Sequence, residues 1–295
     1  MAKVTLEQWR MFQAVVEHGG FSQAADAVHK SQSSINHAVH KLQESLGVPL
    51  LEVRGRKAEL TDVGRVLLSR AGGLLDEAEA LEAVASSLAA GAEARLTLAV
   101  DVIFDYDCLL NAVERFAVEF PHTRLEIRET VLSGAEELLL QQEADFILTA
   151  RVPQGFVGEP VARVKFLPVA HPDHPLHHLG RPVERKDLKA SRQIVMRDSA
   201  VRNRQDSGWL GSDQRITVTN VHTSVELIER GLGFAWLPET RIRDSLSADR
   251  LLPLPTAEPW ERDVTVYLVY ADQDRSGPAA CMLLRALRDG LPPLE

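Results

Sequence analysis

The sequence predicts an α/β chain that carries a small all-α head at its N-terminal end. Three observations lead there. Between Leu6 and Leu46 apolar residues recur at helical spacing. Leucines then repeat every seven residues from Leu67 to Leu88. From Arg95 onward, short β-branched runs alternate with helical ones, the pattern of an α/β domain. At 295 residues the chain has room for two or three structural units with a proper core.

Leu6, Trp9, Phe12 and Val16 make the first helix. Ser22 is placed to cap a second, whose inner face is Ala24, Ala25 and Val28. His29 and Lys30 make a turn, and Ser31 starts a third helix with a buried stripe of Ile35, Val39, Leu42 and Leu46. The opposite face carries Gln32, Ser33, Asn36, His37 and His40, polar side chains suited to hydrogen bonding at base edges. Two helices meeting at a tight turn, the second with such a face, are the layout of a helix-turn-helix. Gly47-Val48-Pro49-Leu50-Leu51 ends that helix and leads to Arg54-Gly55-Arg56-Lys57, a basic hairpin tip that reads as a phosphate-gripping wing. An ordinary helical hairpin with a solvated face is the bland alternative; the third helical wall and the basic wing favour DNA. Ser31, Arg54, Arg56 and Lys57 are then expected on phosphates, and Lys41 on either phosphate or base.

These residues resemble the LysR-type transcriptional regulators. The match runs through Phe12 to Val16, Gly20-Phe21-Ser22-Gln23-Ala24-Ala25, Ser31-Gln32, Leu42, Leu46-Gly47-Val48 and Leu60-Thr61-Asp62-Val63-Gly64. Three positions depart: the family usually has proline at Ser33, a basic residue at His37 and arginine at Val53, beside which Arg54 stands. The resemblance continues more loosely in Asn220-Val221-His222-Thr223, Gly231-Leu232-Gly233 and Leu237-Pro238. It implies a C-terminal effector domain of two α/β lobes, similar to type 2 periplasmic binding proteins.

Charge is unevenly spread. Residues 1–60 hold seven Lys/Arg against six Asp/Glu, a net of +1, so the remainder of a chain at −9 carries −10. An acidic body repels DNA, so binding must rest on the small head presented in duplicate. Met1-Ala2-Lys3 runs straight into an amphipathic helix and no apolar stretch could span a bilayer, which predicts a cytoplasmic protein without membrane contact. Cys108 and Cys281 both lie in apolar helical patterns and read as small buried hydrophobes rather than a redox pair.

Leu67, Leu74, Leu81 and Leu88, with Ala71, Ala78 and Ala85 between them, form a 4-3 repeat along a helix of about thirty residues, on the order of 45 Å long. Such a seam, projecting from a small domain, needs a second copy of the chain. The resemblance implies antiparallel pairing, and a tetramer built as two dimers is the expected assembly. Gly91-Ala92-Glu93-Ala94 reads as a hinge. The predicted organisation is therefore 1–60 winged helix-turn-helix, 61–90 dimerisation helix and 91–295 effector domain. Within the last, one lobe takes about 91–165 and 264–295, the other about 166–263.

Strands are expected at Arg95–Val100, Leu125–Glu129, Phe146–Thr149, Lys165–Val169, Gln193–Met196, Ile216–Thr219, Gly233–Leu237 and Val264–Tyr270. Ligands of open α/β sheets bind beyond strand carboxyl ends, near helix N-termini. That rule selects Asp101, Val102 and Phe104, then Thr149 and Arg151, then Arg197, then Asn220, His222 and Thr223. In one reading Arg151 or Arg197 holds an organic acid against Phe104; in another, Asp101 selects an amine or zwitterion. Asp105 and Asp107 read as helix caps. The histidine-rich run from His171 to His178 reads as a solvated loop before a short helix near Val183, not a metal site. No nucleophile elbow, phosphate loop or dinucleotide fingerprint is present, so no catalytic residue and no resident cofactor is expected. A solute-binding transport protein is the other rival, and both the lack of an export signal and the DNA-reading head count against it. The expected partners are double-stranded promoter DNA, further copies of the chain and a small organic effector, with RNA polymerase left open.

Overall fold

A computed structural model of the chain describes residues 3–54, 57–202, 204–205, 209–272 and 276–292, with 53, 54, 57 and 58 in backbone alone. It separates into two compact units, Met1–Ala90 and Gly91–Glu295.

In the first unit, α1 (Leu6–Glu17) is opened by a capping box: Thr5 Oγ1 accepts from the Gln8 amide, and the Gln8 side chain accepts from the Thr5 amide. Trp9, Met11, Phe12, Ala14 and Val15 are buried, whereas Leu6, expected in the core, is exposed. α2 (Phe21–Ala27) starts one residue before Ser22, with Gly20 at the cap position and no side-chain cap bond, so Ser22 is a helix residue rather than a cap. His29 turns the chain with φ 55°, a left-handed conformation that lets α3 (Gln32–Leu46) cross α2. Ile35, Val39 and Leu42 are buried as a helical stripe; Leu46 is half-buried. Gly47, at φ 72°, ends the helix in the left-handed form glycine adopts freely. The wing is β1 (Leu51–Arg54) antiparallel to β2 (Lys57–Leu60), with Leu51 opposite Leu60. α4 (Asp62–Ala89) follows, its N-terminus capped by Thr61 Oγ1, which accepts from the Gly64 amide at 2.8 Å.

The second unit is built on β3 (Arg95–Asp101), α5 (Tyr106–Glu119), β4 (Arg124–Thr130), α6 (Gly134–Leu140), β5 (Phe146–Thr149), β6 (Gly158–Ala170), α7 (Arg185–Ala190), β7 (Arg192–Met196), β8 (Gln214–Val218), α8 (Val221–Glu229), β9 (Phe234–Pro238), α9 (Glu239–Ser247), β10 (Leu252–Pro253), β11 (Arg262–Tyr270) and α10 (Pro278–Asp289). Among the described residues these strands form one nine-stranded sheet, ordered β4-β3-β5-β11-β6-β9-β7-β8, with β10 also on β6. β3 is parallel to β4 and β5, and β7 to β8 and β9; β11 and β6 run antiparallel between the two parallel groups. Phe166 pairs with Arg262 on one side and Pro238 on the other, so chain crosses between the two halves there. Separate apolar clusters support each half, one around Leu98, Phe116, Leu148 and Leu283, the other around Val169, Ile194, Ile228 and Leu237.

Several local expectations are corrected. β6 begins at Gly158, seven residues before the expected strand, because Gly158 and Pro160 mask its strand character; Pro160 pairs with Tyr267 beside a bulge. Cys108 is buried, and burial pushes its thiol up to about 11, but Cys281 is exposed. α10 buries Ala279, Ala280, Leu283, Leu284, Ala286 and Leu287, and residue 281 falls on its other face. Asp105 caps α5, its carboxylate accepting from the Asp107 and Cys108 amides, while Asp107 pairs with Arg243 at 3.6 Å instead of capping. The histidine run is not a solvated loop throughout: His174 is buried, its Nδ1 accepts from the Leu176 amide, and burial holds it below the ordinary histidine range. The short helix expected near Val183 is α7, two residues later. Glu93, in the expected hinge, is tied down: its carboxylate accepts from the amides of Gly277, Ala279 and Ala280 at the start of α10, at 2.8, 3.0 and 3.2 Å. Among the described residues no helix is long and apolar enough to cross a membrane.

Candidate functional site

Two surfaces carry chemistry. The first is the outer face of α3. Its apolar stripe faces α1 and α2, which leaves Gln32, Ser33, Asn36, His37, His40 and Lys41 exposed on the other side. Ser31 caps the helix, its Oγ accepting from the Ser34 amide at 3.2 Å and lying 3.0 Å from Ser33 Oγ. Gln43, on the half-buried side of the same helix, fastens the wing. Its Oε1 accepts from the Leu50 and Leu51 amides at 2.7 and 3.1 Å. Thr61 Oγ1 donates to the Pro49 carbonyl at 2.8 Å, closing the wing onto α4. Arg54 and Lys57 face each other across the wing ladder in backbone terms, and Arg56 lies outside the described residues.

The long helix serves two faces. Ala71 and Leu75 are buried in the head core and Leu67 is half-buried against it, so part of the expected seam packs on its own chain. Leu74, Leu81 and Leu88 remain exposed, with Ala85 exposed and Ala78 half-buried beside them. The heptad spacing is the same for both sets. What separates them is the side of the helix: Gly64, Ala71 and Leu75 are buried, and Leu74 lies outside that side although its neighbour Leu75 is within it.

The second surface is a cavity of about 330 Å³ in the body. Asp101, Val102, Ile103, Val131 and Leu132 line it from the first half of the sheet, and Gln193 to Met196, Trp209, Val221 and Trp236 from the second. Phe166, Trp260 and Arg262 line it where the chain crosses. Asp101 is 2 % exposed; its carboxylate accepts from the Ile103 amide at 3.1 Å and from the Leu132 amide. Burial nevertheless pushes its pKa up to about 7, helped slightly by nearby Asp198. Asp198 in turn accepts from Ser133 and from the Ala200 and Gln205 amides. Next to it, Ser199 Oγ accepts from the Val131 amide at 2.9 Å, which stitches the two halves together beside the cavity.

Of the residues expected around a ligand, Asp101 and Val102 line this cavity. Phe104 does not; it is 1 % exposed inside the core of the first half, because α5 folds back over it. Thr149 is buried in the sheet opposite Tyr267. Arg151 is exposed and bonds to Gln205, and Arg197 is exposed with its amide on the Val218 carbonyl. Asn220 caps α8 by accepting from the His222 amide at 2.8 Å; His222 and Thr223 are exposed, and Val221 faces the cavity in their place. Sequence reasoning missed Gln193, Trp209, Trp236 and Trp260. The chain's tryptophan count of four, with three in the body, was the signal that could have found them.

Comparison with known proteins identifies the two domains that carry these surfaces. Residues 6–65 match the family of bacterial regulatory helix-turn-helix proteins of the lysR type, and residues 89–292 match the LysR substrate binding domain. The probable HTH-type transcriptional regulator YhaJ of Escherichia coli K12 is 30 % identical over 274 residues, which are 88 % of this chain and 91 % of that protein. A probable hydrogen peroxide-inducible genes activator of Streptomyces viridosporus is 32 % identical over 269 residues, 86 % of this chain and 84 % of that one. Among solved structures, full-length LysG of Corynebacterium glutamicum with bound effector Arg superposes with a TM-score of 0.53 at 19 % identity, covering 98 % of this chain and 100 % of that chain. CrgA of Neisseria meningitidis, a LysR-type regulator, gives 0.53 at 21 %, with 96 % and 97 % covered; at these identities both likenesses speak for the fold. The chain belongs to the LysR family: it is a transcriptional regulator, not an enzyme, with a DNA-binding helix-turn-helix head and an effector-binding body.

Proposed function

We infer that α3 reads an interrupted inverted repeat in promoter DNA, with Gln32, Ser33, Asn36, His37 and His40 on base edges. Ser31, Arg54, Arg56 and Lys57 hold phosphates and Lys41 serves either role. The observation that carries this reading is the exposed, uncharged hydrogen-bonding face of α3 above a fully buried stripe. Side chains of that type make paired contacts to adenine and guanine edges in the major groove. Asn36→Ala is expected to cost about 1–3 kcal/mol of affinity for the specific fragment and nothing for bulk DNA. Gel-shift titrations at fixed salt measure both; equal losses on the two DNAs would remove Asn36 from base readout.

The head takes residues 1–60, and 61–90 carry the dimer contact. Leu74, Leu81 and Leu88, exposed along one line of α4, pair with the same residues of a second copy, and two such dimers form a tetramer in the cytoplasm. Leu81→Glu places a charge in that seam without touching the core of its own chain. Sedimentation should then show smaller species with unchanged unfolding of the body, and a wild-type mass would rule the seam out.

The body, 91–295, senses a small organic effector in the cavity between Asp101 and Trp236. Effector binding shifts the two halves of the sheet and with them the spacing of the heads, which requires unequal affinity for the two arrangements. The related LysG is described with a bound arginine, an effector of the size this cavity admits. Asp101 and Val102 are the expected residues kept in this assignment, and the arginines at 151 and 197 give way to those on the lining.

A further inference from the structure

Of the chain's four tryptophans, Trp9 is in the head and the other three all line the cavity of the body. Trp209 and Trp236 stand 5.9 Å apart at 58°, and Trp236 Nε1 donates to the Trp260 carbonyl, which fixes the Trp236 ring; Trp260 is partly buried against the same cluster. Gln193 lies among them at 4 % exposure. Its Nε2 donates to the Trp209 carbonyl at 2.7 Å, which sets the amide orientation and turns Oε1 away from that carbonyl. That oxygen is buried without a hydrogen-bond partner. A buried acceptor of this kind calls for an O–H or N–H donor. Two cations also lie on the lining, Arg262, whose guanidinium sits 4.8 Å over the Phe166 ring, and Arg185. Among the described residues neither is paired with a carboxylate.

We propose that this cavity takes a flat aromatic acid bearing a ring hydroxyl or amine: the ring lies among Trp209, Trp236 and Trp260, the ring donor reaches Gln193 Oε1, and the carboxylate meets Arg262. The proposal deepens the effector reading and rests on it. Stacked and edge-on aromatic contacts favour an unsaturated ring over a saturated one of equal size. About 330 Å³ holds roughly ten waters, the bulk of a molecule of one or two rings. Asp101 is the acidic residue on the lining, and burial favours its uncharged form, so it opposes an anionic ligand weakly.

The test uses the full chain and its intrinsic tryptophan fluorescence, titrated with the monohydroxybenzoate isomers, benzoate, phenol and 4-hydroxycyclohexanecarboxylate. At least one hydroxybenzoate should quench the signal and bind about tenfold more tightly than the saturated acid. Benzoate should bind about fivefold more weakly than that isomer, a loss that Gln193→Met reproduces. Arg262→Gln should weaken the acids about tenfold and leave phenol unchanged. The benzoate comparison reads the Gln193 contact on unmodified protein, so a variant that fails to fold does not spoil the answer. Equal binding of the saturated acid overturns the aromatic class while leaving the cavity as the effector site. Silence from all the hydroxybenzoates overturns the proposal. If, in addition, a metabolite raises the unfolding temperature of the body without disturbing any tryptophan, the effector reading of this cavity fails as well.

Discussion

Gly64→Ala is expected to unfold the head and abolish DNA retention. A Cβ on residue 64 would stand 2.0 Å from the Leu50 carbonyl oxygen and 2.9 Å from its carbon, both backbone atoms that cannot rotate away. Leu50 is fully buried, and its carbonyl also accepts from the Thr61 amide at 3.0 Å. Relief therefore requires α4 and Leu50 to separate, breaking the bonds of Thr61 to the Pro49 and Leu50 carbonyls and straining the Gln43 clamp on Leu50. Overpacking of this kind costs about 3 kcal/mol, a large share of what a head of this size can hold. Gly73→Ala is the control: its methyl group meets nothing within 4 Å on its own chain, and it should stabilise α4 by about 1 kcal/mol. Amide hydrogen exchange in the full chain separates the cases. Head amides should lose protection in Gly64→Ala while those of the body keep it. Intact protection in the head would show that the close approach is not required.

Asp101 should make the body less stable as pH rises. Its native pKa, about 7, lies above the value near 4 of an unfolded aspartate, so between those limits the native state binds more protons than the unfolded one. Stability then falls with increasing pH across that window and levels off above it. The sign is opposite to that of a salt-bridged carboxylate. Asp101→Asn keeps an acceptor for the Ile103 amide and removes the ionisation. Its stability advantage over the wild type should grow from almost nothing near pH 4 to about 4 kcal/mol near pH 8. Denaturant unfolding of both proteins across that range measures the difference directly. A constant offset would mean that the carboxylate ionises as readily in the fold as out of it.

The head was legible because its rules are local. Ile35, Val39 and Leu42 recur at the spacing of one helical face, and burial of that face leaves Asn36, His37 and His40 outward whatever surrounds the head. Where a local rule had two outcomes, the sequence could not choose. Leu67 and Leu74 belong to the same heptad series, yet the first leans on the head core and the second does not. The buried side of α4 is the one that carries Gly64, Ala71 and Leu75, and Leu74 falls outside it although the next residue does not. In the body the strands were recognisable from β-branched runs, except where Gly158 and Pro160 disguised the start of β6. The choice among ligand residues went astray for a related reason. A strand's carboxyl end says where a loop begins, but Thr149 at such an end and Phe104 beyond one show that the side chain there can turn into the core.

By itself, then, the sequence determined the helices of the head, the outward face of the third, the heptad line along α4, the alternation of strands and helices that follows, and the family. Only the tertiary structure decided which of the heptad leucines stay exposed and which residues surround the cavity. Periodicity is a relation between neighbours a few positions apart, and it survives in any context that buries one face. A cavity is the space left when distant strands pack. Trp209, Trp236 and Trp260 meet there because β6 and β11 carry the chain across and back between two halves of one sheet, and no spacing along the chain records that crossing.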